Sequence, residues 1–202
     1  MRFRALTVAA ALVCLTATPS FAQGNFSAGV KGGVNFSKLA FDPEQEGCCD
    51  TRTGFIGGLF VVAPISETIS IQPEFLYSMQ GAKFDFEGFE EELQTDYFQV
   101  PILVRADFGS NASVRPFVLF GPAFGFNVKA RDKFEDEDDD IKEDVKNLDV
   151  AFAIGAGLQF GSGSIEARYT HGLTTANEDS DEEGVKVKHR VFSVLVGFRF
   201  GS

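Results

Sequence analysis

Side chains able to do acid–base or nucleophilic chemistry are sparse in this sequence. It contains two histidines, His171 and His189. Acyl-transfer hydrolysis needs a base within reach of a hydroxyl, or a pair of carboxylates converging on one site. His171 shares a face of its segment with apolar residues. The matching positions of the last segment are Arg190, Phe192 and Val194, whereas Ser193 lies on the opposite face and is not offered to it. His189 stands among Lys186, Lys188 and Arg190. Neither histidine has the partners a catalytic base requires, so no catalytic residue and no cofactor are expected.

Of the three cysteines, Cys14 falls in an N-terminal apolar run, which leaves the adjacent pair Cys48 and Cys49. Neighbouring cysteines close only a strained small ring, so they read as a free or vicinally oxidised pair that stiffens a loop. Two adjacent thiols are a weak metal motif. The acidic run Glu135 to Asp140 lacks the Asp-x-Asp-x-Asp-Gly turn that fixes ligands around calcium, so no metal site is expected there beyond a diffuse cation response.

A third set of chemically active side chains is more regular. Lys31, Glu74, Arg105, Asp107, Arg115, Glu166, Arg168 and Arg199 each sit on the polar face of a segment whose other face is apolar. The segments that carry them alternate strictly. In the first, Phe26, Ala28, Val30, Val34 and Phe36 oppose Ser27, Lys31, Asn35 and Ser37. In the third, Ile69, Ile71, Phe75, Tyr77 and Met79 oppose Ser70, Gln72, Glu74, Ser78 and Gln80. The same period of two recurs around Phe98 to Phe108, Val118 to Val128, Val150 to Phe160, Ile165 to Thr170 and Phe192 to Phe200. A period of two means a β-strand with two unlike faces. Only Thr53 to Ala63 is apolar on both faces. Eight strands are expected.

The sidedness decides the class. A face rich in Gly, Ser, Arg and Glu is a poor filling for a dry core, and ionised groups there are costly unless paired. Turned toward lipid, rows of Phe, Val, Ile and Leu are what a membrane-spanning strand of about 9 to 11 residues needs. The sequence therefore predicts an all-β, eight-stranded antiparallel up-and-down transmembrane barrel, and not a water-soluble one. Its lumen would be just wide enough for side chains to fill. The eight inward charges are expected to form a salt-bridged interior network, a narrow ion path being the functional alternative.

The connections agree. Those at Pro64 to Thr68, Gly109 to Ser113 and Gly161 to Ser164 are short, and they alternate with long ones at Leu39 to Arg52, Gly81 to Thr95, Ala130 to Leu148 and Thr174 to Gly184. Short periplasmic turns and longer external loops are the pattern of such barrels, with both termini in the periplasm. The long connections carry net charges of -3, -4, -5 and -5, so the acidity is gathered at one end. Phe84, Phe86, Phe89 and Phe134 within them either extend strands beyond the membrane or form a sticky surface.

Length and composition fit one domain: 202 residues, 44% hydrophobic, 23% charged, with 23 Phe and 21 Gly. A net charge of -11 argues against a nucleic-acid partner. Arg2 and Arg4, the apolar run Ala5 to Ala17 and the small residues ending at Ala22 read as a signal peptide, 1–22, leaving a domain of 23–202.

Several motifs together carry a family resemblance: Tyr97 to Arg105, Arg115-Pro116-Phe117-Val118, Gly121-Pro122, Gly155-Ala156-Gly157, Arg168-Tyr169, Gly172-Leu173 and Val191 to Phe200. The chain resembles the small outer-membrane β-barrel family often labelled PorT-like or "outer membrane protein beta-barrel domain", common in Bacteroidetes, and is similar by analogy to the eight-stranded OmpA and OmpX barrels. One departure is that Gly201 and Ser202 follow the terminal aromatic Phe200. The resemblance implies architecture more than activity. It places the protein in the outer membrane of a Gram-negative bacterium, as a monomer. Contact with membrane lipids is expected, the acidic external loops either bridge through divalent cations to lipopolysaccharide or simply remain solvated, and the assembly machinery is expected to read the last strand. A structural or surface-interaction role through the acidic external loops, with a surface partner, is expected. A narrow channel is the alternative, and a lipid-modifying enzyme a more distant one.

Overall fold

A computed structural model describes residues 26–42, 50–86, 89–109, 113–134, 137–140, 148–174 and 186–200. The alternating segments form β1 (Ser27–Asp42), β2 (Asp50–Pro64), β3 (Ile69–Phe86), β4 (Phe89–Asp107), β5 (Val114–Phe134), β7 (Leu148–Phe160), β8 (Gly163–Gly172) and β9 (Lys186–Phe200), with a short β6 (Glu137–Asp140). All pairings are antiparallel, and the pairing of β4 with β5 closes the ring. β6 pairs only with the end of β5 and stands outside the ring, so the barrel is closed by eight strands.

Exposure inverts the usual rule that large apolar side chains are inside. Phe55, Leu59 and Val196 are 54%, 59% and 61% exposed, whereas Glu74 and Arg105 are 3% and 2% exposed. β2, apolar on both faces in sequence, places Phe55, Leu59 and Val61 outward and Ile56, Phe60 and Val62 inward. Both faces are apolar because the lumen itself holds an apolar layer of Ile56, Leu76 and Leu195, beside a second cluster of Leu103, Phe117, Leu119 and Ala153.

One end of the barrel is made of tight turns. Ile65 N–H donates to the Ile69 carbonyl at 2.8 Å, and the Ser66 hydroxyl accepts from Ile69 N–H at 3.0 Å. Between β7 and β8 the ladder ends at Phe160 opposite Gly163, and Gly161 makes the turn with φ of 55°, in the left-handed region glycine enters freely. Gly33 is needed for another reason: a Cβ there would lie 1.9 Å from the Val194 carbonyl oxygen on the neighbouring strand.

At the opposite end the expected long connections are shorter than the side-chain pattern indicates. β1 stays paired with β9 as far as Asp42 opposite Lys186, and β3 with β4 as far as Phe86 opposite Phe89. β5 continues to Phe134 and pairs with β6, Arg131 opposite Asp140. Phe84, Phe86, Phe89 and Phe134 are thus in extended strands. Antiparallel backbones satisfy one another's N–H and C=O groups, so a ladder runs on past the apolar rows whatever the polarity of its side chains. The signal-peptide stretch, Cys48, Cys49 and Glu135 lie outside the described residues.

Candidate functional site

Strand parity delivers seven of the eight expected interior charges into two hydrogen-bonded groups stacked along the lumen. Midway up, Lys31 of β1 donates to Glu74 of β3 at 2.8 Å and to Glu166 of β8 at 2.9 Å. Arg168 of β8 holds both oxygens of Glu74, Nη1 to Oε2 at 2.7 Å and Nη2 to Oε1 at 2.9 Å, and its Nε donates to Glu166 Oε1 at 2.7 Å. Gln72 adds a third donor to Glu74 Oε1 at 2.6 Å. Two cations and two anions thus neutralise one another in a buried site, and they join three strands across the lumen. Isolated, any of these ions would be costly there.

Toward the short turns, Arg105 of β4 clasps Asp107 through two parallel bonds, Nε to Oδ2 at 2.9 Å and Nη2 to Oδ1 at 2.7 Å. Its guanidinium lies over the Phe117 ring, 3.7 Å from the centroid, and also donates to Gln72 Oε1 at 3.1 Å and Gln159 Oε1 at 3.3 Å. Arg199 joins through Gln159 Oε1 at 3.4 Å. Gln72 therefore couples the two groups. Arg115 is half-buried and takes part in neither.

Above the charged group the lumen holds a layer of neutral polar side chains with Arg52 beside it. Asn35 donates to Ser78 Oγ at 2.9 Å and accepts from Ser193 Oγ at 2.7 Å, Gln80 donates to Ser78 Oγ at 3.0 Å, and Arg52 Nη1 donates to the Gln80 carbonyl at 2.7 Å. Near the long-connection end the Tyr97 hydroxyl faces His189 Nε2 at 3.5 Å with the rings edge-on, and Thr174 hydrogen-bonds Asp149. Gln72 and Gln159 were on the inward face in sequence but, being neutral, gave no sign that they tie charged neighbours together.

The two histidines diverge. His189 is buried inside the barrel; His171 faces outward, its ring stacked on Tyr169 with centroids 6.4 Å apart. Ser193 is hydrogen-bonded to Asn35 inside the lumen and does not approach His171. Among the described residues no group of three His, Cys, Asp or Glu side chains is placed to hold a metal ion.

The chain matches the model of the family described as "Outer membrane protein beta-barrel domain" over residues 21–178 and belongs to that family. Among solved structures it is similar to Neisserial surface protein A, with a TM-score of 0.51, 13% identity, and coverage of 86% of this chain and 97% of that one. It is also similar to Ail, the attachment invasion locus protein of Yersinia pestis, solved in complex with the heparin analogue sucrose octasulfate, with a TM-score of 0.46, 19% identity and coverage of 87% and 99%. The outer membrane protein OprG of Pseudomonas aeruginosa gives a TM-score of 0.48, 13% identity and coverage of 89% and 97%. At these identities the likeness is one of fold. No curated protein sequence matches the chain.

Proposed function

We propose that this outer-membrane barrel is a closed anchor whose acidic external connections meet partners at the cell surface, and that it neither catalyses a reaction nor conducts ions. The observation that carries the reading is the ion cluster of Lys31, Glu74, Glu166 and Arg168, which reaches across the lumen between β1, β3 and β8. Ion flow would require these mutually neutralised groups to separate, each leaving a partner unpaired in a confined space. His171 faces outward beside Tyr169, and the hydroxyl that faces His189 is the Tyr97 phenol and not a serine, which supports a non-catalytic role.

In this reading the chain is exported by the segment 1–22 and inserted as a monomer by machinery that reads β9. It contacts lipopolysaccharide through its rim, and the motifs from Tyr97 to Arg105 and from Arg168 to Leu173 group it with PorT-like barrels. The test is a pull-down from intact envelopes with the full protein and with 81–95 and 130–148 replaced by short turns. Capture of a surface component that depends on those segments supports the proposal. Equal capture without them overturns the surface-interaction role. Discrete single-channel steps from the purified barrel in a planar bilayer would replace it with a narrow channel, and altered lipid A in a deletion strain with a lipid-modifying enzyme.

A further inference from the structure

The outward face of β8, β9 and β1 ends, at the long-connection rim, in a basic cluster. On β1 the outward row runs Phe26, Val30, Val34, Phe36 and then Lys38; on β9 it runs from Phe200 back to Phe192 and then Arg190. Lys38 and Arg190 are direct cross-strand partners, and Arg190 is also the partner of His171 on β8. Three basic side chains on three adjacent strands are therefore cross-strand neighbours, Lys38 and Arg190 lying just beyond Phe36 and Phe192 in their rows and His171 between Tyr169 and Leu173 in its own. The row from Phe26 to Phe36, tilted as barrel strands are, covers about 25 Å, the height of the apolar band of such a barrel. The cluster is thus at the headgroup level of the outer leaflet.

The surface is also shaped there. Phe36, Lys38, Thr51, Tyr169, Arg190 and Phe192 line a groove of about 350 Å³. A second groove of about 490 Å³ shares Tyr169 and Phe192 with it and runs down the apolar wall past Phe120 and Ile154, over the small residues Gly155, Ala156 and Ala167. A polar-headed groove thus leads into an apolar track. Among the described side chains no Asp or Glu takes an outward position on β1, β8 or β9. This basic patch stands under connections whose net charge is strongly negative. Lys38 and Arg190, directly opposite on neighbouring strands, present ammonium and guanidinium donors side by side, the chemistry that recognises a phosphate.

We propose that this face is a binding site for a phosphorylated, acylated glycolipid of the outer leaflet, of the lipid A class. Lys38 and Arg190 hold a phosphate, His171 adds a donor at its edge, and an acyl chain follows Phe192 and Tyr169 into the lower groove. Placing the site in the outer leaflet rests on the long connections being external.

The test uses the full protein in lipid nanodiscs and reads, by native mass spectrometry, how much probe lipid stays with the barrel. The probes are bisphosphorylated lipid A, the same lipid after dephosphorylation, and phosphatidylglycerol. Lipid A is expected to be retained about tenfold more than either of the others, and Lys38→Gln with Arg190→Gln is expected to abolish that preference. Lys38→Gln alone, at an exposed position, serves if the double variant does not fold, and is expected to lower retention several-fold. Equal retention of dephosphorylated lipid, or unchanged retention in the variants, overturns the proposal. Equal retention of phosphatidylglycerol overturns the glycolipid assignment. Loss of surface capture in the pull-down above would leave these outcomes unaffected, so the two readings fail separately.

Discussion

Arg168 on β8 grips both oxygens of Glu74 on β3, at 2.7 and 2.9 Å, from across the lumen and 94 residues along the chain. Each end of this bond is held in turn, Arg168 by Glu166 and Glu74 by Lys31 and Gln72. A pair fixed in this way is worth most when it is broken one-sidedly, because the residue left behind keeps its charge without its partner.

Truncation of Arg168 to Ala should therefore lower the stability of the barrel by about 3 to 5 kcal/mol. Replacing the group as a whole, with Lys31→Met, Glu74→Leu, Glu166→Leu and Arg168→Met together, should return most of that loss, because no orphaned ion remains. Urea unfolding in lipid vesicles, followed by the heat-dependent gel shift, measures both. A quadruple variant weaker than the single one would show that the ions contribute beyond their mutual neutralisation.

Arg105 makes a demand that charge alone does not meet. Its fork spans Asp107 while its plane lies on Phe117. Lysine keeps the charge and loses both the second parallel bond and the stacked plane. Arg105→Lys is expected to cost about 1 to 3 kcal/mol in the same unfolding measurement. Unchanged stability would mean that only the positive charge matters.

Ile154 is 55% exposed at the middle of β7, where the outward surface meets the centre of the bilayer. Ile154→Arg should destabilise the barrel by about 2 to 4 kcal/mol, and Phe108→Arg, beside the short turns, by about 0 to 1 kcal/mol. Folding yield and unfolding midpoints in vesicles report the difference. Equal costs at the two depths would contradict the outward rows being immersed in hydrocarbon.

Gly161 turns the chain between β7 and β8 with φ of 55°, and a Cβ at that position meets nothing within 4 Å. Gly161→Val should cost about 1 to 2 kcal/mol through backbone strain alone, and Gly161→Asn clearly less, because asparagine tolerates the left-handed region. Refolding into detergent micelles at several urea concentrations separates the two variants. Equal losses would point to a packing cause in place of the backbone.

Much of the architecture was legible in the sequence because a strand's side chains alternate with a fixed period, so a polarity row read along the chain reports directly which face each residue takes. That local rule placed Lys31, Glu74, Arg105, Asp107, Glu166, Arg168 and Arg199 on the inner face and turned Phe75, Phe98 and Ile154 outward. The alternation of short and long connections ordered the strands into an up-and-down ring. Parity is silent about height. Which charges meet depends on how far each strand is staggered against the next around the closed ring, and that stagger is set by backbone pairing summed over all the strands. Only the folded barrel therefore brought Lys31 within hydrogen-bond distance of both Glu74 and Glu166, left Arg115 aside, and set Lys38 beside Arg190 at the rim. It also decided that β2 could be apolar on both faces, since Ile56 meets Leu76 and Leu195 inside. It carried the ladders of β3 and β4 on to Phe86 and Phe89, because backbone groups pair without regard to the side chains they carry.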